Sequence, residues 1–249
     1  MSPDDCLRDH RSGCRLLGEL FSGLESRVVP GTSTLELDRF VEKWIREQGL
    51  ESNFRGYRTF PAYLSASINE EVINTIPSSK ELSEGDILSL QTGIMTPGAH
   101  AYQSWTYPVG KVDTETERFL AVGRRALAAG VAAARAGHRV GEISMAIQRA
   151  LSEGGLSGNR EFVGHGMGKQ MHEMPQIPSF APENGTKGPV LRPGQILSIQ
   201  VIAHEGSPVV RVSGDGWGVL TGDGKRALQF SQMVILQRHT TEILTRARS

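Results

Sequence analysis

Cysteine is nearly absent from this chain: Cys6 and Cys14 are the only two in 249 residues, both near one end. They match neither a metal-ligand spacing nor a redox pair, so a disulfide framework and a thiolate metal site are excluded. Net charge is absent too, with 27 Lys plus Arg against 27 Asp plus Glu, which leaves no broad field to attract nucleic acid or anionic lipid. The most apolar stretch, "ALAAGVAAARAG", is broken by Arg135 and falls short of the roughly 20 residues that a bilayer-spanning helix takes. The opening "MSPDDCLRDHRSGCRLL" is charged from its start and has no basic head followed by an apolar run, as a secretory signal would. These absences predict a cytoplasmic protein with no nucleic-acid and no membrane partner. No motif suggests a nucleotide, flavin or pyridoxal cofactor. "GHGMGK" is glycine-rich, but Gln170 follows the lysine where a phosphate loop needs Ser or Thr for magnesium.

What is present alternates between two periodicities. Leu16, Leu17, Leu20, Phe21 and Leu24 fall at helical spacing, predicting an amphipathic helix that ends before "VVPG". Ser33 with Glu36 forms a capping box for a second helix, whose apolar face is Leu37, Phe40, Val41, Trp44 and Ile45 and whose terminator is Gly49. Short β-type runs separated by Pro and Gly follow over 63–76 and 86–109. Helices return over 115–136, closed by Gly137, and over 141–152, closed by "EGG". A strand-rich segment then runs to Ile235. The small residues of "ALAAGVAAARAG" suit close helix packing, and Trp105 and Tyr107 alternate along a strand as packing residues.

The order helix, helix, strands therefore occurs twice. "GDILSLQ", ending at Gln91, is answered by "GQILSIQ", ending at Gln200, and "REQGLESNFRGY" by "LSEGGLSGNREFVGHG". An internal duplication of this kind packs two related sheets around a shared site, so Gln91 and Gln200 become candidate partners in one cavity. The plainer alternative is that glycine, a turn and an alternating strand make a common sequence.

Several blocks carry a family resemblance: "SASINEEVINTIP", "LSEGDILSLQTGIMTPGAHAYQSWTYPVG", "REFVGHGMGKQMHEMPQIP", "VLRPGQILSIQ" and "DGWGVLTGDGKRALQFSQMVIL". In order and spacing, from about Ser12 to Leu244, the chain resembles the methionine aminopeptidases. The resemblance implies an α+β pita-bread (creatinase/aminopeptidase) fold, with pseudo-two-fold duplicated halves and an antiparallel sheet core flanked by helices. It implies a single domain over 1–249, with N-terminal helices in 1–52, a first-half sheet in 53–110 and the second half in 111–249. It further implies five metal-ligand positions, which here carry Gln91, Tyr102 with Gln103 beside it, His165, Gln200 and Ser231. Only the histidine matches, so no bound metal and no cofactor is expected. His172 falls where the family places a substrate-contacting histidine, and Asn74 where it places a histidine that aids proton transfer.

The expected function follows from that neutral set. Amides, hydroxyls and imidazoles lining one pocket suit a small-molecule or peptide ligand. The reading is a metal-independent, repurposed enzyme acting on a small polar molecule or modified peptide, with His165, His172 and Tyr102 as acid and base groups. Phe60, Asn74, Gln91, His100, Gln103, Gln200, Trp217 and Ser231 are its candidate substrate-binding residues. The alternatives are a non-catalytic peptide- or ligand-binding pseudoenzyme and, last, a residual metalloaminopeptidase. A structural alternative stands beside each role: the histidines as hydrogen-bonding loop residues, Phe60 and Trp217 as core.

Overall fold

Apolar spacing and end signals account for the helices of the computed structural model, which describes residues 3–181 and 188–245, with side chains from residue 7 onward. The Cys6 side chain and both ends of the expected 1–249 domain therefore lie outside the described residues. Helix α1 (Pro3–Glu25) buries Leu17, Leu20, Phe21 and Leu24 as one stripe, each such side chain stabilising the fold by about 1.5–3 kcal/mol relative to exposure. Helix α2 (Thr34–Glu47) has the expected capping box: Ser33 Oγ accepts the Glu36 N–H at 3.3 Å and the Glu36 carboxylate accepts the Ser33 N–H at 2.7 Å. Gly49 terminates it at φ +63°, a conformation that costs glycine little. Helices α3 (Thr114–Ala133) and α4 (Val140–Glu153) repeat the arrangement in the second half. The sequence predicts α3 as far as residue 136. It stops earlier because Ala134 turns to ψ 88° and the Gly137 N–H pairs instead with the Leu191 carbonyl.

The strands are β1 (Glu51–Ser52), β2 (Leu64–Ile68), β3 (Glu71–Ile73), β4 (Ile87–Thr96), β5 (Ala99–Pro108), β6 (Ser157–Gly158), β7 (Gly164–Gly166), β8 (Glu173–Ile177), β9 (Ile196–His204), β10 (Val210–Val212), β11 (Val219–Thr221), β12 (Ala227–Leu236) and β13 (Thr241–Ile243). The first sheet runs β1-β4-β2 with β5 also paired to β4, and the second runs β13-β12-β9-β7-β8 with β6 paired to β9. A small third sheet, β10-β11-β3, joins a first-half strand to a second-half one and interlocks the halves. All of these pairings are antiparallel.

The twin strands β4 and β9 are the centres of the two sheets, and the sheets meet along β5 and β12. There the Ser104 N–H donates to Ser231 Oγ at 2.7 Å, and Thr106 Oγ1 both donates to the Gln229 carbonyl and accepts the Gln229 N–H, each at 2.8 Å. One apolar core lies between the first sheet and α1 and α2, a second between the other sheet and α3 and α4. The small-residue helix packs closely, since a Cβ on Gly130 would stand 2.7 Å from Ile147. Trp105 meets Phe230 edge-on at 4.7 Å. This is the pita-bread α+β architecture.

Candidate functional site

Side chains alternate across a strand, so matched positions on two facing sheets reach the same space. Gln91 on β4 and Gln200 on β9 do so: both amides donate to the Tyr102 hydroxyl, Gln200 at 2.8 Å. All three are at least nine-tenths buried. Burial pushes the Tyr102 phenol up to about 12, with its amide and hydroxyl partners opposing the shift, so it stays protonated at neutral pH. Gln91 Oε1 is buried with no partner, a carbonyl ready to accept. Ser65 and Ser104 sit in register with Gln91, and Ser231 with Gln200. The floor of the site is therefore a neutral lattice of amides and hydroxyls.

The histidines come from the second half. β7 is short and glycine-flanked because backbone crosses it closely: a Cβ on Gly164 would lie 2.6 Å from the Ser198 carbonyl. His165 between these glycines is buried, and its Nδ1–H donates to the Gly166 carbonyl at 2.9 Å, leaving Nε2 as acceptor. His172 lies with its ring centroid 4.4 Å from that of His165, and its Nδ1 is 3.1 Å from the Tyr57 hydroxyl. Burial holds His165 below the usual imidazole range. Burial, and then the charges of His165, Arg58 and His100, bring His172 down to about 4. Both rings are neutral at pH 7.

An aromatic wall faces them. Phe60 and Trp217 meet edge-on at 5.2 Å, and Phe54 lies 6.0 Å from Phe60 and stacks 6.3 Å from Tyr102. The cavity between them is about 580 Å³, and Phe60, Asn74, Gln91, Tyr102, His165, His172, Gln200 and Trp217 all line it. The remaining sequence candidates do not. Ser231 spends its hydroxyl on the Ser104 N–H behind the lining. Gln103 is one residue from Tyr102, so strand alternation turns it to the opposite face, where it is fully buried. His100 lines a neighbouring cavity. Sequence reasoning misses Phe54, Tyr57 and Arg58, which also line the site. They belong to the loop "FRGYRTF", whose sole signal is Gly56. Arg58 and Thr59 there adopt left-handed φ values of 47° and 73°, the kind of strain that marks a functional loop.

The model of metallopeptidase family M24 matches residues 8–238. The chain belongs to that family. It is 38% identical to methionine aminopeptidase 1 of Bacillus subtilis, over 95% of this chain and 94% of that one. It is 36% identical to a methionine aminopeptidase of Clostridium perfringens, over 94% of each. The methionine aminopeptidase structure from Thermotoga maritima superposes with a TM-score of 0.93 at 30% identity, over 99% of this chain and 98% of that one. A Xaa-Pro dipeptidase of Bacillus anthracis, 17% identical with a TM-score of 0.78, shares the M24 fold. These findings correct the expected function. A repurposed, metal-independent enzyme or a pseudo-peptidase does not accord with relatives this similar, nearly end to end, that carry the name methionine aminopeptidase. Among the described residues no helix is long and apolar enough to cross a membrane.

The resemblance also implies a pair of divalent ions, and the donor set does not fit them. Such a pair needs anionic oxygens to offset the repulsion between the ions. Gln91, Gln200 and Ser231 offer only neutral oxygen, and the two amides are engaged by Tyr102, itself a protonated phenol. No group of three His, Cys, Asp or Glu side chains among the described residues could hold a metal ion.

Proposed function

We propose that this protein is a divergent aminopeptidase of family M24, with most metal-ligand positions replaced, that takes the amino-terminal residue of a peptide into the central cavity. Its relatives' name, methionine aminopeptidase, points to methionine as that residue. One observation carries the reading: an apolar wall of Phe54, Phe60 and Trp217 faces a polar floor rich in acceptors across a single cavity. An unbranched apolar side chain packs against aromatic rings, and a thioether adds favourable sulfur contacts of about 0.3–1.5 kcal/mol. An amino group carries donors, and Gln91 Oε1 and the neutral His165 Nε2 are acceptors. Glu161 and Glu173, also in the lining, supply negative charge for an ammonium. In this arrangement Tyr102 holds the two amides in place, Tyr57 holds His172, and the aromatic wall excludes water from the first side chain.

The test is incubation with a methionyl peptide, its N-acetylated form and a glycyl analogue, in buffers containing manganese, cobalt or iron, with free amino acid measured by mass spectrometry. Methionine released from the free-amine peptide, none from the acetylated one and less product from the glycyl one is the expected result. No methionine released in any of these buffers would overturn the proposal.

A further inference from the structure

A second cavity of about 470 Å³ lies beside the first, with Asn53, Tyr57, Met171 and His172 lining both. The rest of its lining is Ser52, Arg55, Met95, His100, Lys169 and Gln170, with cations and no carboxylate. Arg55 and Lys169 are exposed, and neither makes an ion pair among the described residues. The helix-surface cations Arg15, Lys43, Arg46 and Arg149 behave differently, each pairing with a glutamate one turn away. His100 holds this wall in place. Its Nδ1 lies 2.9 Å from Asn53 Oδ1, an oxygen oriented by the Asn53 Nδ2–H donating to the Ala101 carbonyl, and its Nε2 lies 3.2 Å from the Lys169 carbonyl. The Lys169 backbone is thereby tied to β5 and to Asn53 just past β1, and two cations outside any ion pair, Arg55 lying 6.0 Å over the Tyr63 ring, border a concave space that adjoins the central cavity.

We propose that this second cavity is a carboxylate subsite, in which Arg55 and Lys169 receive an acidic group of the peptide whose amino-terminal residue occupies the central cavity. The placement rests on the reading given above for the central cavity. The carboxylate has two sources, an acidic side chain just after the first residue or the terminal carboxylate of a very short peptide. Exposed charges such as these act on a partner through association rate and salt dependence, so their effect on affinity is largest at low ionic strength.

Three methionyl tripeptides separate these cases by calorimetric titration at low ionic strength. Methionyl-glutamyl-alanine amide carries a side-chain carboxylate, methionyl-alanyl-alanine a terminal one, and methionyl-alanyl-alanine amide none. Each is also tested N-acetylated. The subsite predicts that one or both carboxylate peptides bind about tenfold more tightly than the amide control, a gain equal to about 1.4 kcal/mol. The gain should vanish in the double variant Arg55→Gln, Lys169→Gln, which leaves the affinity of the uncharged control unchanged. Equal affinity of the three free-amine peptides for the unaltered protein would overturn the subsite, as would a preference that persists in the double variant. A carboxylate preference lost in the double variant but indifferent to N-acetylation would leave the subsite standing and refute the placement of the amino terminus. No binding by any peptide refutes both.

Discussion

The two halves of the molecule share a plan and divide the chemistry. β4 and β9 run in step through Gly-x-Ile-Leu-Ser and end at Gln91 and Gln200, whose amides meet on one phenol. Beyond that meeting point the halves part. The first contributes most of the aromatic side chains, Phe54, Tyr57, Phe60 and Tyr102, and the cation Arg58, while the second contributes Trp217 and both neutral histidines. Four residues past each glutamine the contrast is direct: Met95 stands where the second half has the buried His204. A duplicated backbone thus supplies a symmetric frame, on which the first half builds most of the aromatic wall and the second places the imidazoles.

The sharpest way to break the comparison is to remove the phenol that joins the halves. Tyr102→Phe leaves two buried amides without their shared partner, at about 1–3 kcal/mol for each group so stranded. Chemical denaturation should show a loss of about 2–4 kcal/mol. A change below about 0.5 kcal/mol would mean that the joint does not hold the halves together.

Acid lability should be concentrated in the second half, where three of the four histidines held down by burial lie. Burial holds His204 down to about 4 against an ordinary value of 6.5, and its Nε2 accepts from Asn159 Nδ2 at 2.9 Å. Below pH 6.5 the unfolded chain takes up a proton that the folded one refuses. The stabilisation is complete above that pH and lost as pH falls toward 4, by roughly 3 kcal/mol for this residue. His165 and His172 are shifted in the same direction and add to the loss. His204→Gln should flatten the stability curve between pH 6.5 and 4; an unchanged slope there contradicts the assignment.

Smaller effects sharpen the first half's role in recognition. Tyr57→Phe removes the hydroxyl beside His172 Nδ1 from an exposed residue, so stability should stay within about 0.5 kcal/mol. Affinity for a methionyl peptide should fall about fivefold, roughly the worth of one neutral hydrogen bond. Unaltered affinity would assign Tyr57 to packing. The smallest change expected is a gain: Thr59→Gly relieves a left-handed threonine at φ 73° and should stabilise the fold by about 0.5–1 kcal/mol, read from the denaturation midpoint.

Much of this frame is legible in the residue pattern. The capping box at Ser33, the glycine at 49 and the twin strands are local signals, and each fixes backbone through contacts made within a few residues. The meeting of Gln91 with Gln200 is also legible, because a repeat implies symmetry-related positions. The end of α3 is not, since the pairing of Gly137 with Leu191 is remote in sequence. Phe54 and Tyr57 escape notice for a related reason: an irregular loop has no period to show which way its side chains face. The function is not legible from the site residues alone. A neutral donor set describes the floor of the cavity, whereas similarity to the methionine aminopeptidases extends through the helices, sheets and loops that shape the whole site.

A crystal structure of the protein with a methionyl tripeptide bound tests the central claim most directly. The account predicts the methionine side chain against Phe60 and Trp217 and the amino nitrogen within hydrogen-bonding distance of Gln91 Oε1 or His165 Nε2. A peptide bound in the reverse direction, or seated away from this cavity, would contradict it.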